Sequence, residues 1–231
     1  MQEEIYIVGA GTYGEVMCEL ADVLGYSVKG FYDEDNSKLN CTIMGVEVIG
    51  NFSKLNESDI KDKNFIVAIG NNPVRLDMMN KINLLGGVTP ALIHPSAIIS
   101  PSAQIGKGVY IHANAYIWTK VVIDDFCIVS PNVVIAHHTT LSKACLVSTL
   151  TAVGASIKIE EKVLLGMSST IMTGVNSIGE NSIIGAGAVV IKDIENDTVY
   201  AGVPAKKIRD IKEQKIFKKK TNNNVYVTNI I

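Results

Sequence analysis

Between Ile93 and Val190 the chain repeats itself every six residues. Counted in sixes from Ile93, the positions are Ile99, Ile105, Ile111, Ile117, Ile123, Val129, Ile135, Leu141, Val147, Val153, Ile159, Leu165 and Ile171, fourteen branched aliphatics without a break. Four residues after each comes a small or β-branched residue, from Ala97, Ala103 and Val109 through Cys127, Thr139 and Cys145 to Val175. A seven-residue step then resets the count to Ile178, Ile184 and Val190. An α-helix repeats near 3.6 residues and a strand near two, so neither produces this pattern.

The pattern fits a parallel β-helix. One aliphatic per side points inward and stacks on its equivalent a turn later, while a small residue fills each corner. Three sides make a prism with an 18-residue turn. A single turn leaves its apolar face open until the next covers it, and fourteen hexads supply more than the few turns such a stack needs. Gly106, Gly154, Gly166, Gly179 and Gly185 each follow an inward aliphatic, where a positive φ or a close backbone approach is expected.

At 231 residues the chain has room for two modest domains. A net charge of −2 gives no global attraction to nucleic acid or to a membrane surface. No stretch has the layout of a signal peptide and no apolar run reaches membrane-span length, so a cytoplasmic protein is expected. The four cysteines form no metal motif; Cys127 and Cys145 lie one turn apart inside the prism and read as reduced core residues.

Ahead of the repeat, residues 4–8 (EIYIV) read as a buried strand. Gly9-Ala10-Gly11-Thr12-Tyr13-Gly14 follows, then a helical stretch to about Leu24 and a second strand over Val28–Tyr32, ending at Asp33. Glycines at a strand-to-helix turn let backbone N–H groups and the helix N-terminus hold phosphate, although tight turn packing alone also selects them. An acidic residue closing the second strand suggests a ribose contact. Only about 90 residues precede the prism, which is enough for one mononucleotide half and too few for a dinucleotide fold. Residues 41–60 give little. Phe65–Ile69 is another buried strand, and Gly70-Asn71-Asn72 stands at its carboxyl end, where open α/β sheets bind ligands. The domains are thus expected at 1–90 (Rossmann-like βαβ), 91–204 (prism) and 205–231 (basic tail).

Of the four histidines, His94 and His112 occupy the second position of their hexads and are expected on the outer surface. His137 and His138 are neighbours on a mid-prism turn. A histidine is a natural general base at neutral pH, worth about 10²–10⁴-fold in rate. Three histidines shared across an interface could instead hold zinc. Two of the candidates here are sequence neighbours and the others lie 25 and 43 residues away, a spacing that suits three convergent ligands poorly.

The prism behind a small βαβ domain resembles the NeuD/PglD family of bacterial sugar acyltransferases. The resemblance runs to about Arg209. It is carried by Ile5-Tyr6-Ile7, Phe31-Tyr32-Asp33, Val67-Ala68-Ile69-Gly70-Asn71-Asn72, Leu92-Ile93-His94, Ile184-Gly185-Ala186-Gly187 and Gly202-Val203-Pro204-Ala205-Lys206. It implies a homotrimer of left-handed parallel β-helices with acetyl-CoA, and no metal, in a groove between neighbouring prisms. The expected acceptor is a UDP- or dTDP-linked 4-amino-deoxy sugar used in surface-glycan synthesis. Carried over by position, His137 matches the base, and Ala155, Met167, Gly185 and Lys206 fall to acetyl-CoA. Gly9, Gly11, Tyr13, Gly14, Asp33, Gly70, Asn71 and Asn72 fall to the nucleotide sugar.

Three positions depart from the family pattern. The residue after the base is often acidic and is here His138, which leaves the base open between His137 and His138. A further histidine nine positions beyond the base is replaced by Leu146. The glycine loop, usually closing Gly-His-Gly, reads Thr12-Tyr13-Gly14. Alternative readings are O-acetylation of a sugar or sialic acid and, from a different class, a non-catalytic trimerisation module or a zinc enzyme.

Overall fold

A computed structural model describes residues 2–211, which form two compact units divided between Pro90 and Ala91. Expectations for residues 212–231 lie outside the described residues.

In the first unit, β1 (Glu4–Val8), α1 (Thr12–Val23), β2 (Ser27–Tyr32), β3 (Thr42–Ile43), β4 (Val46–Gly50), α2 (Glu57–Ile60), β5 (Asn64–Val67) and α3 (Asn72–Leu84) follow in chain order. The sheet order is β3-β4-β2-β1-β5; β4, β2, β1 and β5 are parallel, and β3 runs antiparallel to β4. Continuous apolar runs suit a parallel sheet covered on both faces, and Ile5, Ile7, Phe31, Phe65, Ile66 and Val67 have no exposed surface. Helix α1 buries Met17, Cys18, Leu20 and Ala21, and α3 buries Arg75, Met79 and Ile82. Gly14 lets α1 close onto the turn before it, because a Cβ there would run into the Gly9 carbonyl. Residues 42–50, which carry no clear pattern, supply two of the five strands.

In the second unit, seventeen two-residue strands run from β6 (Leu92–Ile93) to β22 (Val189–Val190), and each as far as the strand Thr170–Ile171 pairs in parallel with the strand one turn later. The registers Ile117–Ile135–Val153 and Ile123–Leu141–Ile159 show the inward column directly. The inward aliphatics and the small corner residues form one continuous core. The outward residues differ by face. One face carries Leu92, Tyr110, Ile128, Leu146, Leu164 and Ile183; the next carries Ile98, Tyr116, Val134, Ala152, Thr170 and Val189; the third carries Gln104, Val122, Thr140, Lys158 and Ser177. Two faces are largely apolar and the third is mostly polar. The seven-residue step is absorbed at a corner, where Gly174 takes φ +103° between Thr173 and Val175.

The corners turn on a position the glycine pattern does not mark. From Ile105 to Ile184 the backbone is left-handed three residues after each inward aliphatic, at Asn114, Lys120, Phe126, Asn132, His138, Ala144, Leu150 and onward, mostly without glycine. Each such residue costs about 1–2 kcal/mol locally. Its N–H is repaid by a bond to the preceding turn, as in Asn132 to Ala113 (3.0 Å), His138 to Thr119 (3.0 Å) and Ser156 to His137 (3.0 Å). The glycines after the inward aliphatics answer the other need, close approach: a Cβ on Gly154 would lie 2.5 Å from the Thr173 nitrogen. Small corner residues also satisfy backbone carbonyls. Thr139 Oγ1 donates to the Gly154 carbonyl at 2.7 Å, and the free thiols of Cys127 and Cys145 reach those of Ser142 and Glu160 at 3.1 and 3.0 Å.

The stack ends with β23 (Thr198–Ala201), parallel to the strand Ile183–Ile184, and β24 (Lys206–Asp210), antiparallel to β23. The segment that reads as the start of a basic tail therefore opens with a strand. Among the described residues no helix is long and apolar enough to cross a membrane.

His112 departs from its expected surface position. It is buried, and burial first, then the neighbouring His94, pushes its pKa from 6.5 down to about 4. The second hexad position points out of the prism, but direction does not guarantee solvent; Leu92, Tyr110 and Ile128 also point outward and are buried. Folded His112 is neutral, whereas below pH 6.5 the unfolded chain binds the extra proton. Stability is therefore expected to fall as the pH drops from about 6.5 towards 4, by up to roughly 3 kcal/mol from this residue. Urea midpoints compared across that range in wild type and His112→Gln should show a shallower fall in the variant.

Candidate active site

His137 and His138 lie on the corner leaving the face that carries Tyr116 and Val134. Their shared peptide is held from both sides: the His138 N–H donates to Thr119 one turn before, and the His137 carbonyl accepts from Ser156 one turn after. The left-handed backbone at His138 (φ +61°) is one that histidine tolerates better than most residues. The two rings meet at right angles, interplanar 88° and centroids 5.2 Å apart, with Nδ1 to Nδ1 at 3.0 Å. Trp118 stacks on the other side of His137 at 6.2 Å and 28°, and Tyr116 packs on Trp118 at 5.5 Å. Both histidines are exposed. The corner thus presents two rigidly placed imidazoles to solvent on an aromatic bed, a suitable seat for proton transfer.

The cofactor residues read from the sequence fall in three places. Ala155 stands one turn above His137 on the same corner. Met167 (exposed) and Gly185 stand on the preceding corner, at the other edge of that face; Gly185 falls in the column of His94 and His112, and Met167 one residue beyond it. Lys206 is exposed at the start of β24. One chain therefore brings Ala155 beside His137 but places Met167 and Gly185 on a different corner.

In the first unit the substrate residues lie on three loops at the carboxyl ends of β1, β2 and β5. Gly9 has φ +107°, and its N–H donates to the Tyr32 carbonyl. Asp33, expected as a ribose contact, already holds three donors: Ala10 N–H at 2.8 Å, Asp35 N–H at 2.9 Å and Lys38 Nζ at 3.0 Å. Its carboxylate ties the glycine loop to β2. Asn71 caps α3 through Val74 N–H at 3.1 Å, and Asn72 Oδ1 accepts from Arg75 at 2.8 Å. Gly11 stands at the N-cap of α1 and supplies no side-chain cap.

Arg75 and Asn51 went unread in the sequence. Arg75 is fully buried and donates to the Ile69 carbonyl at 3.0 Å, which fixes the Gly70–Asn72 loop from beneath. Its position three residues after Asn72, in the first turn of α3, is the sequence signal that would have aimed it back at the loop. Tyr13 is half-buried; burial pushes its hydroxyl pKa upward while the Arg75 charge pulls it down. Asn51, at the end of β4, donates to the Asp33 carbonyl at 2.8 Å. Two helix N-termini and a buried guanidinium together favour a bound anion such as a diphosphate. Among the described residues no group of three or more His, Cys, Asp or Glu side chains could hold a metal ion.

The hexapeptide prism with its exposed histidine pair places the chain among the hexapeptide-repeat acyltransferases. The bacterial transferase hexapeptide family matches residues 102–137, and the PglD N-terminal domain family matches residues 4–82. The chain belongs to the NeuD/PglD family of sugar acyltransferases. Its prism is accordingly the left-handed form of the parallel β-helix. It is similar to PerB from Caulobacter crescentus, whose structure holds CoA and GDP-perosamine, with 30% identity over 88% of this chain and 96% of that one and a TM-score of 0.80. It is also similar to the acetyltransferase domain of PglB from Neisseria gonorrhoeae FA1090, with 29% identity, coverage of 89% and 100%, and a TM-score of 0.80. Among curated proteins, the Escherichia coli galactoside O-acetyltransferase is 33% identical over 100 residues, 41% of this chain and 46% of its own length. The chain spans less than half the length of the curated relatives it matches, such as this one and a serine acetyltransferase of Arabidopsis thaliana (39%).

Proposed function

We propose that this chain transfers the acetyl group of acetyl-CoA to the amine of a nucleotide-linked amino sugar, in the cytoplasm, for surface-glycan synthesis. The observation that carries the reading is the exposed, doubly clamped His137 on its prism corner, in a chain that matches PerB along nearly its whole length. His137 acts as general base. The amine nitrogen attacks the thioester carbonyl, a C–N bond forms, and the amine proton passes to His137 Nε2. The C–S bond then breaks, and the departing CoA thiolate takes a proton back from His137. A backbone N–H facing the carbonyl oxygen supports the oxyanion.

The first unit binds the nucleotide part. Gly9, Gly11 and Gly14 shape the diphosphate loop, and Tyr13, Gly70, Asn71 and Asn72 line the same end of the sheet. Asp33 and Arg75 hold those loops in place. The working form is a homotrimer. In it, the corner bearing His137 and Ala155 on one copy meets the corner bearing Met167 and Gly185 on a neighbour, and acetyl-CoA lies along that seam with Lys206 near its phosphates. Placement of the four residues on two corners of one chain supports this arrangement.

The test is thiol release from acetyl-CoA against UDP-, dTDP- and GDP-linked amino sugars, with free and activated sialic acids alongside. Turnover with a nucleotide-linked amino sugar is expected. Turnover with hydroxyl acceptors alone would move the reading to O-acetylation, the activity named for the galactoside enzyme. No turnover and no CoA binding would overturn it.

A further inference from the structure

The 3.0 Å contact between His137 Nδ1 and His138 Nδ1 constrains where protons can sit. Two bare nitrogens, or two N–H groups, would repel at that distance, so one ring donates and the other accepts. When His137 takes a proton from the substrate amine, both its nitrogens carry hydrogen. The contact then survives only if His138 Nδ1 is bare. Trp118, stacked on His137, favours the arrangement in which positive charge develops on the His137 ring.

We propose that His138 is a positioning residue whose Nδ1 accepts the Nδ1–H of His137, which fixes His137 in the tautomer that turns its Nε2 lone pair to the substrate. This deepens the assignment of His137 as base and rests on it. A neutral imidazole here does the orienting usually given to a carboxylate, so the pair gains no negative charge. The geometry suits this role, because each Cα is pinned through a backbone hydrogen bond to an adjacent turn and the left-handed conformation of His138 swings its ring against its neighbour.

Long-range ¹H–¹⁵N correlation of the full chain labelled at histidine nitrogens reads the tautomers without any acceptor. The His137 signals are assigned by their loss in His137→Gln. In wild type at neutral pH, His137 should show a protonated Nδ1 and a bare Nε2, and His138 the reverse. His138→Ala should move His137 towards the Nε2–H form. His138→Asn, which tolerates the left-handed backbone and offers Oδ1 as acceptor, should restore the wild-type pattern. With an acceptor in hand, kcat should follow the same order while KM for acetyl-CoA holds steady. A His137 that carries Nε2–H in wild type, or whose tautomer ignores His138→Ala, overturns the proposal. Because the spectrum needs no substrate, an inactive acceptor panel leaves this result standing on its own.

Discussion

Replacing His137 by alanine is expected to lower kcat for acetyl transfer by about 10²–10⁴-fold, the usual contribution of a positioned general base. KM for acetyl-CoA should change little, since no part of the His137 ring is assigned to the donor. The substitution is local. The main-chain bonds Ser156 N–H to the His137 carbonyl and His138 N–H to Thr119 do not depend on the side chain, so the corner keeps its shape. What is lost is the ring, its stack on Trp118 and its contact with His138. Steady-state thiol release measures the effect, and a loss below about threefold would remove His137 from the role of base.

Leu141→Ala is expected to destabilise the prism by about 2–5 kcal/mol, the range for truncating a fully buried leucine. Leu141 has no exposed surface and sits in register between Ile123 and Ile159. The ladder of backbone hydrogen bonds fixes the distance between turns, so neighbouring side chains have little freedom to fill the space left behind. Leu141→Ile keeps the volume and should cost less than about 1.5 kcal/mol. Urea unfolding with an unchanged m-value reads both. Equal midpoints for the two variants would mean that the inward column is not the tight stack described.

The prism was legible because its rule is written in every turn: an inward aliphatic, then a small corner residue four positions on. The βαβ unit showed at β1 and β5, whose apolar runs are nearly continuous, at the short run Phe31-Tyr32 closing β2, and at the Gly9–Gly14 turn. Strand β4 stayed hidden because only Val48 of its five residues is buried, which leaves no alternation to read. In the site, His137 and His138 stood out by residue type and by their place on a mid-prism turn. Their mutual contact did not, because it depends on a left-handed backbone that the sequence marks only in retrospect, by its regular spacing. Arg75 carried no sequence signal that was read; its role follows from the Gly70–Asn72 loop to which its first-turn position returns it. His112 shows the limit of periodicity, which gives a direction out of the prism and not what lies there.

Mass analysis of the reaction product tests the central proposal most directly. Wild-type protein, acetyl-CoA and the panel of nucleotide-linked amino sugars should yield one nucleotide sugar bearing an acetyl group on its former amine, and His137→Ala should yield far less of it in the same time. An acetyl group found only on a hydroxyl, or equal product from wild type and His137→Ala, would contradict amine acetylation with His137 as base.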